Sequence, residues 1–112
     1  MSLEITANNH ITLTRGDTGI IDLLFTLNGQ PYSPQEGDTA TFTVRKNYKG
    51  KPNDEVIIQK EIDMSEAVLI INPDETSELE YYDYKYDISC TYSNGIVETP
   101  IVGIFTLDKE VT

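Results

Sequence analysis

One stretch constrains the fold more than any other. From Tyr82 to Tyr92 the apolar residues Tyr82, Tyr84, Tyr86, Ile88, Cys90 and Tyr92 alternate with Asp83, Lys85, Asp87, Ser89 and Thr91. A two-residue period sorts side chains onto opposite faces of a strand, so this segment predicts a half-buried strand with an aromatic inner face. Ser93-Asn94-Gly95 follows, and an asparagine-glycine pair readily takes the positive φ angles of a tight hairpin. The return strand is expected from Ile96 to about Lys109. Within it Pro100 has no N–H for a ladder, which places it at a sheet edge or a bulge, and Gly103 can bend the strand further.

The rest of the chain repeats the theme. Ile11 and Leu13 mark one short strand, and the run Ile20 to Leu27 carries Ile21, Leu23, Phe25 and Leu27 on one side of the same period. Asn28-Gly29 is a turn pair, and Pro31 and Pro34 extend the irregular connection. Gly37-Asp38 opens a strand in which Ala40, Phe42 and Val44 face inward and threonines 39, 41 and 43 occupy the exposed pleat. Residues 47–54 are a loop by composition, with Gly50 and Pro52 as breakers. Val56 to Ile62 and Ala67 to Ile71 read as two more strands joined by a turn at Asp63 to Ser65. Asn72-Pro73-Asp74-Glu75 is a helix start, because proline suits the first helical position and carboxylates suit the positive end of the dipole. That helix is expected to run to about Leu79, as a crossover between sheets. About seven strands with one short helical crossover predict an all-β antiparallel sandwich in a single domain spanning residues 1–112. Residues 1–9 are expected to be a loosely ordered arm.

Charge and cysteine content narrow the function classes. The 112 residues carry 19 acidic and 8 basic side chains, a formal net charge of −11. Such a field repels phosphate backbones, so no nucleic-acid partner is expected. No apolar run approaches the roughly 20 residues that span a bilayer, and Met1-Ser2-Leu3-Glu4 lacks the regions of a signal peptide. Cys90 is the one cysteine and His10 the one histidine. Together they cannot furnish the three or four soft ligands of a metal centre, and no nucleophile-elbow motif is present. No catalytic residue, metal ligand or cofactor is therefore expected, and the chain reads as a non-enzyme.

Three further features invite a binding role. Arg15-Gly16-Asp17 is an integrin-recognised tripeptide when exposed, but it reads better as a tight turn between strands. The acidic stretch Asp74, Glu75, Glu78, Glu80, Asp83 and Asp87 could offer oxygens to calcium, although a solvated acidic face is the better reading. The tyrosines at 81, 82, 84, 86 and 92 could form a sugar-stacking platform, but 82, 84, 86 and 92 share one strand face and read as core. At least one hydroxyl there should bond nearby backbone, as a tyrosine corner does. Tyr32, Tyr48 and Tyr81 are the exposed ones, suited to protein or sugar ligands.

Thr14-Arg15-Gly16-Asp17-Thr18 precedes an apolar strand, and Leu27-Asn28-Gly29-Gln30-Pro31 is followed by Gly37-Asp38-Thr39 and its strand. Tyr84-Lys85-Tyr86-Asp87-Ile88 and Gly103-Ile104-Phe105 come later. Over roughly residues 10 to 108 this layout resembles the N-terminal immunoglobulin-like domain of phage baseplate upper proteins and related prophage tail proteins. The resemblance implies an immunoglobulin-like β-sandwich that assembles with other phage tail or baseplate proteins, with self-association as a further mode. It also implies a virion location after synthesis in the bacterial cytoplasm. The expected contact residues are Tyr32, Tyr48, Tyr81 and Pro100, in loops 28–38 and 47–54 and at the edge near Pro100. The alternative is a carbohydrate- or cell-surface-binding sandwich that uses the exposed tyrosines.

Overall fold

A computed structural model describes residues 3–6, 10–27, 29–46 and 55–109. Ten strands and one helical turn are assigned among them: β1 (Leu3–Thr6), β2 (His10–Thr14), β3 (Gly19–Asp22), β4 (Leu24–Leu27), β5 (Gln30–Pro31), β6 (Thr39–Lys46), β7 (Glu55–Ile62), β8 (Val68–Ile71), α1 (Pro73–Thr76), β9 (Tyr82–Thr91) and β10 (Val97–Asp108). One layer is a five-stranded sheet in the order β2-β10-β9-β6-β7. Facing it are a three-stranded sheet, β1-β4-β5, and the two-stranded pair β3-β8.

The tyrosine strand lies near the centre of the larger sheet. Tyr84, Tyr86, Ile88 and Cys90 are buried, whereas Asp83, Lys85 and Thr91 face solvent. Tyr82 departs from the expected alternation: it starts the strand and stays partly open to water. Phe42 on β6, Tyr86 on β9 and Phe105 on β10 form an aromatic cluster, with Phe42 5.6 Å from Tyr86 and 6.3 Å from Phe105 between ring centroids. Leu23, Phe25, Leu69 and Ile71 cover it from the opposite layer. The Tyr84 hydroxyl meets backbone, donating to the Glu80 carbonyl four residues upstream at 2.8 Å.

Several boundaries differ from the sequence expectation. Leu3–Thr6 is not a loose arm but β1, antiparallel to β4. The sandwich is not wholly antiparallel, because β2 runs parallel to the end of β10, with His10 opposite Ile104. Ile20 to Leu27 is two strands rather than one. β3 pairs with β8, and β4 pairs with β1 and β5. The switch falls at Leu23, whose N–H leaves the ladder for the Ala67 carbonyl. Alternation survives the switch because Leu23 and Phe25 remain buried. Thr43 is buried instead of exposed, since β6 is flanked by both β7 and β9 and Gln59 donates to its Oγ1. Pro100 lies where the β9–β10 register shifts, between Glu98 and Ile101, as its missing N–H requires.

The helix is a single turn, shorter than the expected span to Leu79. Glu75 returns a carboxylate oxygen to the Asn72 N–H at 2.8 Å, which stabilises the start. Thr76 ties the turn to the body: it is fully buried, and its Oγ1 accepts the Gly16 N–H at 2.9 Å. A turn this short is marginal by itself, so such anchors decide whether it forms. Thr76→Val keeps the volume but leaves the Gly16 donor without its acceptor. Chemical denaturation should show a loss of about 1–3 kcal/mol.

Candidate functional site

At one end of the sandwich the connection 32–38 meets the hairpin 92–96, and a cavity of about 370 Å³ opens between them. Asp38 builds it. Its Oδ2 accepts the Tyr32 hydroxyl at 2.5 Å and the Gln35 N–H at 2.9 Å, and its Oδ1 accepts the Ser93 N–H at 2.9 Å. Gly37 permits the approach: its φ is +94°, and a Cβ there would stand 3.2 Å from the Ser93 Cβ. Tyr32 and Tyr92 meet edge to face, centroids 6.4 Å apart at 74°. Tyr92 donates its hydroxyl to Glu98 Oε2 at 3.0 Å. Ile96 and Asn94 complete the rim.

The electrostatics follow from these pairs. Donation to Asp38, reinforced by burial, pushes the Tyr32 phenol up to about 12. Burial and the Glu98 carboxylate push the Tyr92 phenol higher still. The Tyr32 hydroxyl holds the Asp38 carboxyl below its usual value against the cost of burial, helped by the Gln35 and Ser93 N–H groups. Cys90 is fully buried, and burial, with Glu98 and Asp38 adding their charge, pushes its thiol up to about 11. Thiol chemistry needs thiolate and access, so Cys90 should label with iodoacetamide only as the protein unfolds. Rapid labelling of native protein, read by mass spectrometry, would contradict the inward placement.

The expected contact residues do not converge. Tyr32 is half-buried and lines the cavity, but Tyr81 precedes the other end of β9, roughly 30 Å away at about 3.3 Å per residue. Tyr81 is exposed, and the Arg15 guanidinium sits 4.4 Å from its ring centre. Arg15 also donates to the Leu79 carbonyl, so Arg15-Gly16-Asp17 is a turn packed onto the α1 segment rather than a free loop tip. Tyr48 and the loop 47–54 lie outside the described residues. Pro100 belongs to the bulged half of β10.

The acidic stretch is interleaved with cations. Asp87 pairs with Arg45, Glu80 with Lys46 and Glu75 with Lys60, each at 2.6 Å. No group of three or more acidic, histidine or cysteine side chains arranged for a metal ion occurs among the described residues. His10 and Cys90 occupy opposite faces of the larger sheet: His10 is exposed and bonded to Thr106 Oγ1 at 2.7 Å, and Cys90 is in the core. They cannot act as a nucleophile and base pair.

Asp38 and Glu98 are site residues that the sequence reading does not single out, and Tyr92 is read there as core although it also lines the cavity. The useful signal is the pairing of β6 with β9, in which Thr39 opposes Thr91 and so brings the residues just beyond them together.

No family model matches the chain, and no curated protein matches it. Among solved structures, murine CRIg is similar, with a TM-score of 0.52 and 11% identity over 99% of this chain and all of that one. At that identity the likeness speaks for the fold alone: the protein is an immunoglobulin-like β-sandwich.

Proposed function

We propose that the protein is a non-enzymatic assembly component that acts through protein–protein contacts, in a phage or prophage tail or baseplate as its sequence resemblance implies. The observation that carries the contact reading is the outer surface of β10. Val97, Val102 and Ile104 stand on it with Ile96 before them, at 60, 64, 43 and 54% exposure. Among the described residues β2 pairs only with Ile104 to Asp108, so the stretch before Ile104 has β9 as its one ladder partner, with β1 lying close to the strand. A strand with a single ladder partner beside a row of exposed apolar side chains is an arrangement that can pair with another chain. Fully burying each Val or Ile is worth roughly 1.5–3 kcal/mol, so four of them can hold a partner. A sugar platform has less support, because Tyr32 and Tyr81 sit at opposite ends of β9.

Co-expression with the products of flanking genes, followed by size-exclusion chromatography with light scattering, tests the reading. A complex of defined mass is expected, and Val102→Lys with Ile104→Lys should abolish it without lowering the thermal midpoint. A persistent monomer that captures none of these neighbours would contradict the proposal.

A further inference from the structure

We infer that the cavity between the 32–38 connection and the hairpin is a receptor for one basic side chain, a guanidinium or ammonium group on an aliphatic stem carried by a partner protein. The inference rests on the assembly reading for its source of ligand, but it concerns a different surface and a definite chemistry. Three properties of the cavity carry it.

The first is construction. Asp38 fixes both walls at once by accepting from Tyr32, Gln35 and Ser93. The cavity is therefore held open by the fold and needs little ordering when a ligand enters.

The second is the polarity of its atoms. Both phenols spend their protons on carboxylates, Tyr32 on Asp38 and Tyr92 on Glu98. A phenol that donates keeps its oxygen as an acceptor, and a carboxylate only accepts. Among the described residues no Lys, Arg or His lines the cavity. Such a lining asks for a donor and for positive charge. An anion meets two carboxylates, which repel it, whereas a cation meets both the carboxylates and the phenol oxygens.

The third is shape. The edge-to-face rings of Tyr32 and Tyr92 form an aromatic corner, and Ile96 continues the apolar wall. Aromatic faces attract a cation, and an aliphatic stem fills the apolar part. The volume, about 370 Å³, lies near the lower end of the roughly 300–1,000 Å³ range of ligand pockets, which suits one long side chain. The net charge of −11 steers a basic partner toward the surface before it docks.

The test is an amide-resolved NMR titration of the folded chain with N-acetyl-arginine N-methylamide, its neutral citrulline isostere and free butylguanidinium. Saturable shifts confined to Gln35, Ser93, Asn94 and Ile96 are expected with the arginine compound. Citrulline should bind about tenfold more weakly or worse, because a charge-assisted contact is lost. Glu98→Gln keeps an acceptor for the Tyr92 hydroxyl but removes the charge, and should weaken the arginine compound by a similar factor. If that variant fails to fold, the citrulline comparison on the native chain decides alone. Equal binding of citrulline and arginine overturns the inference, as do shifts away from these amides or their absence. Binding of butylguanidinium alone overturns the assignment to a partner's side chain. None of these outcomes depends on whether the chain assembles in a tail, so a failure here leaves the assembly proposal to its own experiment.

Discussion

Phe42→Ala should cost about 3–5 kcal/mol of folding free energy, the range for removing a buried phenylalanine. Phe42 has no exposed surface, and its ring is flanked by Tyr86 and Phe105 from two neighbouring strands. Truncation removes the ring's transfer free energy and leaves a cavity that three strands of one sheet cannot close without breaking their ladder. Small domains hold only about 5–15 kcal/mol in total, so the loss takes a large share of what is available. Each kcal/mol is worth roughly 4 °C or more at this chain length, so the thermal midpoint should fall by at least about 12 °C. Phe42→Leu retains most of the volume and should cost markedly less. Urea titration measures both. A near-neutral alanine variant would mean that β6 presents its other face to the core.

Asp38→Ala should have the next largest effect, about 1–3 kcal/mol, and its signature is a dependence on pH. Hydrogen bonds to a charged acceptor are individually strong, but the site is partly open to water, which replaces some of what is lost. The sign follows from the direction of the Asp38 shift. Its carboxyl is held below the ordinary value of 3.8 in the folded protein, by the Tyr32 hydroxyl first and then by the Gln35 and Ser93 amides. A group with a depressed folded pKa contributes fully above its unfolded value and loses that contribution as pH falls through the folded one. The stability gap between wild type and Asp38→Asn should therefore be widest near neutrality and narrow below about pH 4. Denaturant titrations at several pH values measure it. A gap that stays constant into strong acid would show that the carboxylate charge does not hold the connection to the hairpin.

These two residues mark what can and cannot be read from the sequence. Phe42 and the tyrosines of β9 are readable because a two-residue period is a local property, set by which side of the pleat each residue occupies. The same locality explains the missed break at Leu23. A strand that changes sheets keeps its period, and only the Leu23 N–H bond to Ala67, more than forty positions along, reveals it. The burial of Thr43 is likewise a matter of neighbours, since β7 and β9 flank β6. The parallel partner of β10 is the distant β2, which no local pattern announces. The cavity is the extreme case. Asp38 and Ser93 are separated by 55 positions and meet only because β6 and β9 pair.

Hydrogen exchange on β10, compared between the free protein and its complex with a tail neighbour, tests the assembly reading most directly. Slowed exchange over residues 97–104, with the Tyr81 end of the sandwich unchanged, is the expected result. Unchanged exchange along β10, with protection arising at the Tyr81 end instead, would contradict it.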